Sequence, residues 1–288
     1  MTEVKRTYFV GDQWLYYKLY SGPKTIEAIL LSELFPLMKK LKKDGLIDKF
    51  FFIRYTDPEY HLRVRFHLTH IDRIGVVILE LNKVLKHGVE NRIISRVLID
   101  TYTRELERYG KITMNDVETF FDFDSNLILD HLTKERNDGQ RWIFGACCMD
   151  QLFNALAFSS IQKEDFCRKN ANHFLTEFGN VKGLRIQLDD KYRKQKKVIE
   201  SLLIPKDGNS TSPKNYYTEI ESIITKFNSL AKEGLLEISL DDLLSSLIHM
   251  NFNRLFRTKQ RMQEFVVYYL MEKFYMSVNA RLKYSKST

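Results

Sequence analysis

Residues 51–66 read FFIRYTDPEYHLRVRF. Phe50 to Tyr55 is aromatic with one β-branched residue, Thr56, Asp57 and Pro58 form turns, and Tyr60 to Leu68 is strand-like again. The stretch predicts a β-hairpin. Side chains alternate along a strand, so Leu62, Val64, Phe66 and Leu68 take one face of the second arm, and His61, Arg63, Arg65 and His67 take the other. Upstream, Trp14 to Tyr20 (WLYYKLY) predicts another strand, closed by Ser21, Gly22 and Pro23. Residues 24–43 read as helix with a kink near Pro36, stopped by Asp44 and Gly45. Downstream, 71–87 is helical and Ile93 to Tyr102 is β-like. From about 104 the pattern is helical, with segments expected at 104–109, 114–135, 141–158, 163–178, 187–203, 215–232, 240–257 and 259–283. Pro205 to Asn215 (PKDGNSTSPKN) reads as a flexible loop joining two helices rather than two domains. The fold class is therefore α+β. A mixed N-terminal sheet with a hairpin packs with a largely helical C-terminal half, in a single domain over 1–288.

Composition narrows the functional classes. The chain has 288 residues, 44% hydrophobic and 28% charged, which excludes disorder throughout. No apolar run reaches the ~18–20 residues of a membrane helix, so no membrane span is expected. The N-terminal MTEVKRTYFVGDQW has neither the apolar core nor the cleavage site of a secretion signal. The cysteines, Cys147, Cys148 and Cys167, make no disulfide framework and no zinc pattern, and point to a reducing cytoplasm. The net charge is +8. Its denser patches, Lys39 to Lys43 and Lys191 to Lys197, fall in helical patterns and read as solvated faces. No aromatic-interleaved motif accompanies them, so direct nucleic-acid binding is not expected.

GxGxxG, Walker A, HExxH and GxSxG signatures are all missing. Chemistry must come from scattered polar groups, and three clusters stand out. Arg63 and Arg65 share one strand face, where like charges repel unless an anion sits between them; a plain solvated sheet face is the competing reading. Glu105 and Arg108, in YTRELERYG (102–110), share one face of a helical turn, either as an ordinary surface ion pair or as site residues. In LIHMNFNRL (247–255), helix geometry puts His249 about 160° from the centre of the apolar stripe, with Asn253 on its side. Such a histidine suits acid/base work in a cleft. Cys147 and Cys148 read as packing residues. Asp122, Asp124 and Ser125 read as a helix-junction cap rather than a metal site.

The segments WLYYKLY (14–20), FFIRYTDPEYHLRVRF (51–66), YTRELERYG (102–110) and HMNFNRL (249–255), in this order and spacing, resemble the C-terminal, glutamate-eliminating domain of class I lanthipeptide dehydratases. They are also similar to stand-alone thiopeptide-type bacteriocin biosynthesis proteins. The resemblance covers essentially the whole chain. It implies a lyase that eliminates glutamate from glutamylated Ser or Thr of a ribosomal precursor peptide, leaving dehydroalanine or dehydrobutyrine. By the matched motifs, Arg63, Arg65, Glu105, Arg108 and His249 are expected to be catalytic. Arg63, Arg65, Arg108, Asn253 and Arg254 are expected to bind substrate. Where the family usually has a second glycine after RYG, this chain has Lys111. No metal, nucleotide or organic cofactor is implied. The implied partners are the precursor peptide and a separate tRNA-dependent glutamylation subunit; a homodimer is left open. Two alternatives stand beside it: a [4+2] pyridine or macrocycle synthase of thiopeptide type, which is expected to lack this Arg/Glu/His set, and a non-catalytic module that binds a leader peptide.

Overall fold

A computed structural model describes residues 4–135, 137–179, 183–204 and 214–287. The chain folds as two compact units. The first is discontinuous, residues 1–136 and 236–258, and the second comprises 137–235 and 259–288.

The first unit is built on a four-stranded antiparallel sheet in the order β3-β4-β2-β5, from β2 (Trp14–Tyr20), β3 (Ile47–Tyr55), β4 (His61–Leu68) and β5 (Arg96–Asp100). A short pair, β1 (Thr7–Tyr8) and β6 (Tyr102–Thr103), accompanies it. The helices of this unit are α1 (Pro23–Ile29), α2 (Phe35–Lys43), α3 (Ile74–Glu90), α4 (Leu106–Tyr109), α5 (Met114–Lys134) and α10 (Leu240–Leu255). The hairpin β3–β4 and the strand at 14–20 are where the sequence placed them. The expected kink near Pro36 is a π-helical turn, Leu30–Leu34, between α1 and α2. Pro36 has no N–H to return to the preceding turn, and the wider π turn absorbs that loss. The β-like stretch 93–102 is two strands, β5 and β6, split at Thr101, whose N–H donates to Asp100 Oδ1.

Register fixes which side chains share a face. Tyr16 lies opposite Arg65 and Asp100, and Lys18 lies opposite Arg63 and Leu98. Tyr17 lies opposite Val64 and Ile99. One face therefore carries Leu15, Tyr17, Leu19, Leu62, Val64 and Phe66, all buried. The other carries Tyr16, Lys18, Phe51, Arg63 and Arg65. The expectation that Asp122, Asp124 and Ser125 cap a helix junction is wrong. They sit in mid-α5, where they bind the outer edge of β3 and the interior of the unit. Phe50 N–H donates to Asp122 Oδ1 (2.9 Å) and Phe52 N–H to Ser125 Oγ (3.4 Å).

The second unit is helical: α6 (Arg141–Ala155), α7 (Ser160–Glu177), α8 (Leu184–Leu203), α9 (Lys214–Lys232) and α11 (Gln260–Ser287). Phe153, Phe166, Phe174, Phe265 and Tyr268 form its aromatic core, with Cys147, Cys148 and Cys167 buried as packing residues. α7 begins earlier than expected because Ser159 and Gln162 form a capping box. The loop expected at Pro205–Asn215 lies outside the described residues up to 213, and Lys214 already belongs to α9. Among the described residues no helix is long and apolar enough to cross a membrane. The patch at 39–43 is not simply solvated. Lys39 pairs with Asp130, Lys40 with Glu80, and Lys42 with the buried Asp122.

Candidate active site

The arginine face of the sheet is lined with aromatic rings rather than open to water. Arg65 is 7% exposed. Its guanidinium lies 4.3 Å from the ring of Tyr16, 4.7 Å from Tyr102 and 5.1 Å from Phe51. Each such contact is worth about 0.5–2 kcal/mol to a cation. The rings offer π faces but no acceptor for Nε and Nη1, which are buried without a hydrogen-bond partner. Neither Arg63 nor Arg65 forms an ion pair among the described residues. Leaving a buried charged donor unmet costs on the order of 1–3 kcal/mol or more, so the seat favours an incoming anion.

Arg63 is half-buried and stacks on Tyr55 at 3.5 Å. His61 fixes its orientation. The His61 Nδ1–H donates to the Glu59 carbonyl (2.8 Å), leaving Nε2 to accept from Arg63 Nε–H (3.0 Å). Burial, more than the neighbouring cations Arg63, Lys18 and Arg96, holds the His61 pKa below its ordinary value, which keeps the ring a neutral acceptor. On the same face Lys18 and Asp100 form an ion pair.

The segment after β6 brings the second cluster. Arg104 is buried against Glu118 in a bidentate pair, Nε–Oε1 2.8 Å and Nη2–Oε2 2.6 Å, and the Tyr102 hydroxyl donates to the same carboxylate at 2.9 Å. This clamp fixes both Tyr102, one wall of the Arg65 seat, and the start of α4. Glu105 is the residue before α4 and is exposed. Arg108 donates Nε–H to Ser246 Oγ of α10 (3.2 Å) and approaches Glu105 Oε2 at 3.4 Å. Gly110 has φ +77°, and a Cβ there would meet Thr113 Oγ1 at 2.7 Å, so the turn requires glycine. Lys111 is not at positive φ and needs no glycine; its N–H donates to Glu237. The buried Tyr109 phenol is pushed up to about 12, chiefly by burial, and feels the charges of Arg108, Glu105, Arg254 and Arg65 together.

His249 is half-buried on α10, three residues from Ser246 and therefore on the same helix face as the hydroxyl that binds Arg108. Arg63 and Arg65 share the sheet face of Tyr16, and Arg108 meets α10 at Ser246, on the face of His249. Tyr16, Tyr102, Phe51, His61 and Ser246 complete the arrangement, and sequence periodicity had singled out none of them except His61.

Two expected substrate-binding residues, Asn253 and Arg254, bond within the fold. Arg254 is fully buried, with Nη1 on Asp124 Oδ2 (2.8 Å) and Nε on the Phe52 carbonyl (2.9 Å). The Asn253 amide accepts from Arg54 N–H (2.8 Å) and donates to the Arg54 carbonyl (2.9 Å). Asn253 thus bonds to the outer edge of β3, and Arg254 to that edge and to α5. Behind them, the buried Glu27 joins Arg54 (2.7 Å) and Arg257 (2.7 Å). Among the described residues no group of three or more His, Cys, Asp or Glu side chains is placed to hold a metal.

Residues 14–275 match the family model described as lantibiotic biosynthesis dehydratase C-term. The nisin biosynthesis protein NisB of Lactococcus lactis subsp. lactis is 28% identical over 270 residues, covering 88% of this chain and 26% of that protein. The epidermin biosynthesis protein EpiB of Staphylococcus epidermidis is 24% identical over 258 residues, covering 86% and 24%. The chain thus spans about a quarter of the length of these curated relatives. Among solved structures, the tRNA-dependent lantibiotic dehydratase MibB from Microbispora sp. 107891 shares the fold with a TM-score of 0.75 at 20% identity, over 95% of this chain and 29% of that one. The pyridine synthase TbtD from thiomuracin biosynthesis shares it with a TM-score of 0.72 at 15% identity, over 93% and 99%.

Proposed function

Because the chain belongs to the lantibiotic dehydratase C-terminal family, we propose that it eliminates glutamate from glutamylated Ser or Thr of a ribosomal precursor peptide. The observation that carries this reading is Arg65, a buried cation with two unmet donors in an aromatic seat. In the reaction a base removes the α-proton of the ester-bearing residue. The electron pair forms the Cα=Cβ bond, the Cβ–O bond breaks, and glutamate leaves through a carboxylate. Arg63, Arg65 and Arg108 stabilise the negative charge that develops on the leaving group and the enolate. His249 moves the proton, and Glu105 orients Arg108. The aromatic walls lower the local dielectric and strengthen each charge contact.

We assign tRNA-dependent glutamylation to machinery outside residues 14–275. MibB is described as tRNA dependent, and the residues shared with this chain are 29% of its length. The family match runs across both compact units, which supports treating 1–288 as one elimination domain. The likeness to TbtD is one of fold alone, and the cationic seat favours elimination over cycloaddition.

The test is a synthetic peptide bearing a glutamyl ester on one Ser or Thr, given to the chain without ATP, tRNA or partner. Loss of glutamate to give an alkene is expected from the wild type, with accumulation of the ester in Arg65→Ala, Arg108→Ala and His249→Ala. Full turnover by all three variants, or macrocycle formation from a linear dehydroalanine peptide, would overturn the reading.

A further inference from the structure

The two edges of the sheet are treated differently. Leu68 N–H donates to the Gln13 carbonyl, one step beyond the β2–β4 register, so alternation makes Leu15, Tyr17 and Leu19 bond to β4. Tyr16, Lys18 and Tyr20 then bond to β5 through Asp100, Leu98 and Arg96. The main-chain groups that point outward are those of Phe50, Phe52 and Arg54 on β3, and of Val97 and Ile99 on β5. On β3 the outward groups meet side chains from α5 and α10: Asp122, Ser125, Asn253 and Arg254. On β5 no strand or side chain among the described residues takes up Val97 or Ile99.

The open edge lies beside a cavity of about 530 Å³ between β5, β2 and α3. Tyr17, Ile78, Leu85, Val89, Val97 and Ile99 give it apolar walls, with Asn82, Lys86 and Glu90 at the rim. Val89 and Ile99 are 45% and 39% exposed. An unguarded edge with apolar side chains is a template for another strand, and natural sheets normally blunt it with proline, a bulge or a cover. β5 has no proline, bulge or cover among the described residues; it is five residues long with charges only at its ends, Arg96 and Asp100, which leaves Val97–Ile99 apolar, whereas α5 and α10 cover the other edge.

We propose that β5 and α3 form a docking groove for an extended segment of the peptide substrate, which adds as an antiparallel strand to β5. The identity of the occupant rests on the elimination reading above. Residues of the added strand that bond to Val97 and Ile99 put their side chains on the same sheet face as those two, over the cavity. The groove therefore selects apolar side chains at alternate positions, i and i+2, with main-chain bonds supplying the rest of the affinity. The added strand lies three strand spacings from β4, about 14 Å. About five extended residues span that in-plane distance, and the chain leaves the cavity face at the free edge to reach the face of Arg63 and Arg65. Docking at the edge thus holds the reacting residue at high effective concentration near Arg63 and Arg65.

The experiment uses the full chain and a fluorescent, acetylated heptapeptide with Ile and Leu at its third and fifth positions and Ser, Thr and Lys elsewhere. Binding by anisotropy is expected. It should weaken about tenfold or more when both apolar residues are N-methylated, when both are replaced by Ser, and in Ile99→Lys with an unchanged circular dichroism spectrum. Unaltered affinity in these arms, or no binding, overturns the proposal. A dimer that Ile99→Lys abolishes, with no peptide binding, overturns it in favour of a second copy at the edge. Two glutamyl-ester substrates separate this site from the reaction. With one too short to reach the groove, Ile99→Lys should turn over like the wild type. With one extended by the alternating segment, KM should rise about tenfold at constant kcat. If the wild type turns over neither ester, the elimination reading fails, whereas the binding arms still decide the groove.

Discussion

Arg65 and Arg254 are both buried in the same unit, but their neighbours differ. Arg254 faces Asp124 and a strand carbonyl, whereas Arg65 faces three rings. Removing one partner of a buried ion pair strands the other charge. Arg254→Ala is therefore expected to lower stability by about 3–5 kcal/mol in urea unfolding. Arg65→Leu removes a cation that has no counter-charge and keeps apolar volume. The lost ring contacts are offset by the desolvation cost of the unpaired cation, so stability should change by less than about 1 kcal/mol or rise, while elimination is lost. Equal destabilisation by both substitutions would make Arg65 a structural cation. His61 supplies a pH dependence. Its folded pKa is depressed, so the bond it accepts from Arg63 adds stability that is present above the ordinary value of 6.5 and is lost as pH falls through the lower folded midpoint. An NMR titration should show that midpoint below 6.5, with the proton on Nδ1 until then. A midpoint above 6.5 would mean that the ring does not serve as the acceptor for Arg63.

At the scale of elements, the edges of the sheet differ in exposure to exchange. The amides of Phe50 and Arg54 are bonded to side chains from α5 and α10 and should be among the slowest to exchange, while Val97 and Ile99 should exchange fast and become protected when a peptide docks. Fast exchange at Phe50 and Arg54 would show the cover to be loose. The strands themselves were legible in the sequence, because period-two alternation in HLRVRFHL and the TDP turn are local signals. What covered them was not. Asp122 and Phe50 are 72 residues apart, and Asn253 and Arg54 are 199 apart. Local spacing makes Asp122, Asp124 and Ser125 look like cap residues, since nothing nearby in sequence announces a strand edge in need of acceptors.

For the molecule as a whole, sequence motifs nominated candidate residues without showing which neighbours they would meet. Arg63, Arg65, Glu105, Arg108 and His249 were nominated by the match of their motifs to a known family, since spacing alone left a solvated sheet face open for the arginines and a surface ion pair open for Glu105 and Arg108. Asn253 and Arg254 stand in the same motif as His249, yet helix rotation turns them to β3, and only the tertiary arrangement reveals that. The division into two units was also hidden, because α5 and α10 belong to one unit although residues 137–235 intervene. That discontinuity has a consequence during synthesis. A ribosome adding roughly 5–20 residues per second needs roughly 10–40 s to travel the 199 residues from Arg54 to Asn253. Throughout that interval the nascent chain carries the Phe50-Phe51-Phe52 strand without the α10 part of its cover. Chaperone occupancy on this polypeptide should therefore begin as the hairpin leaves the exit tunnel and end when HMNFNRL emerges.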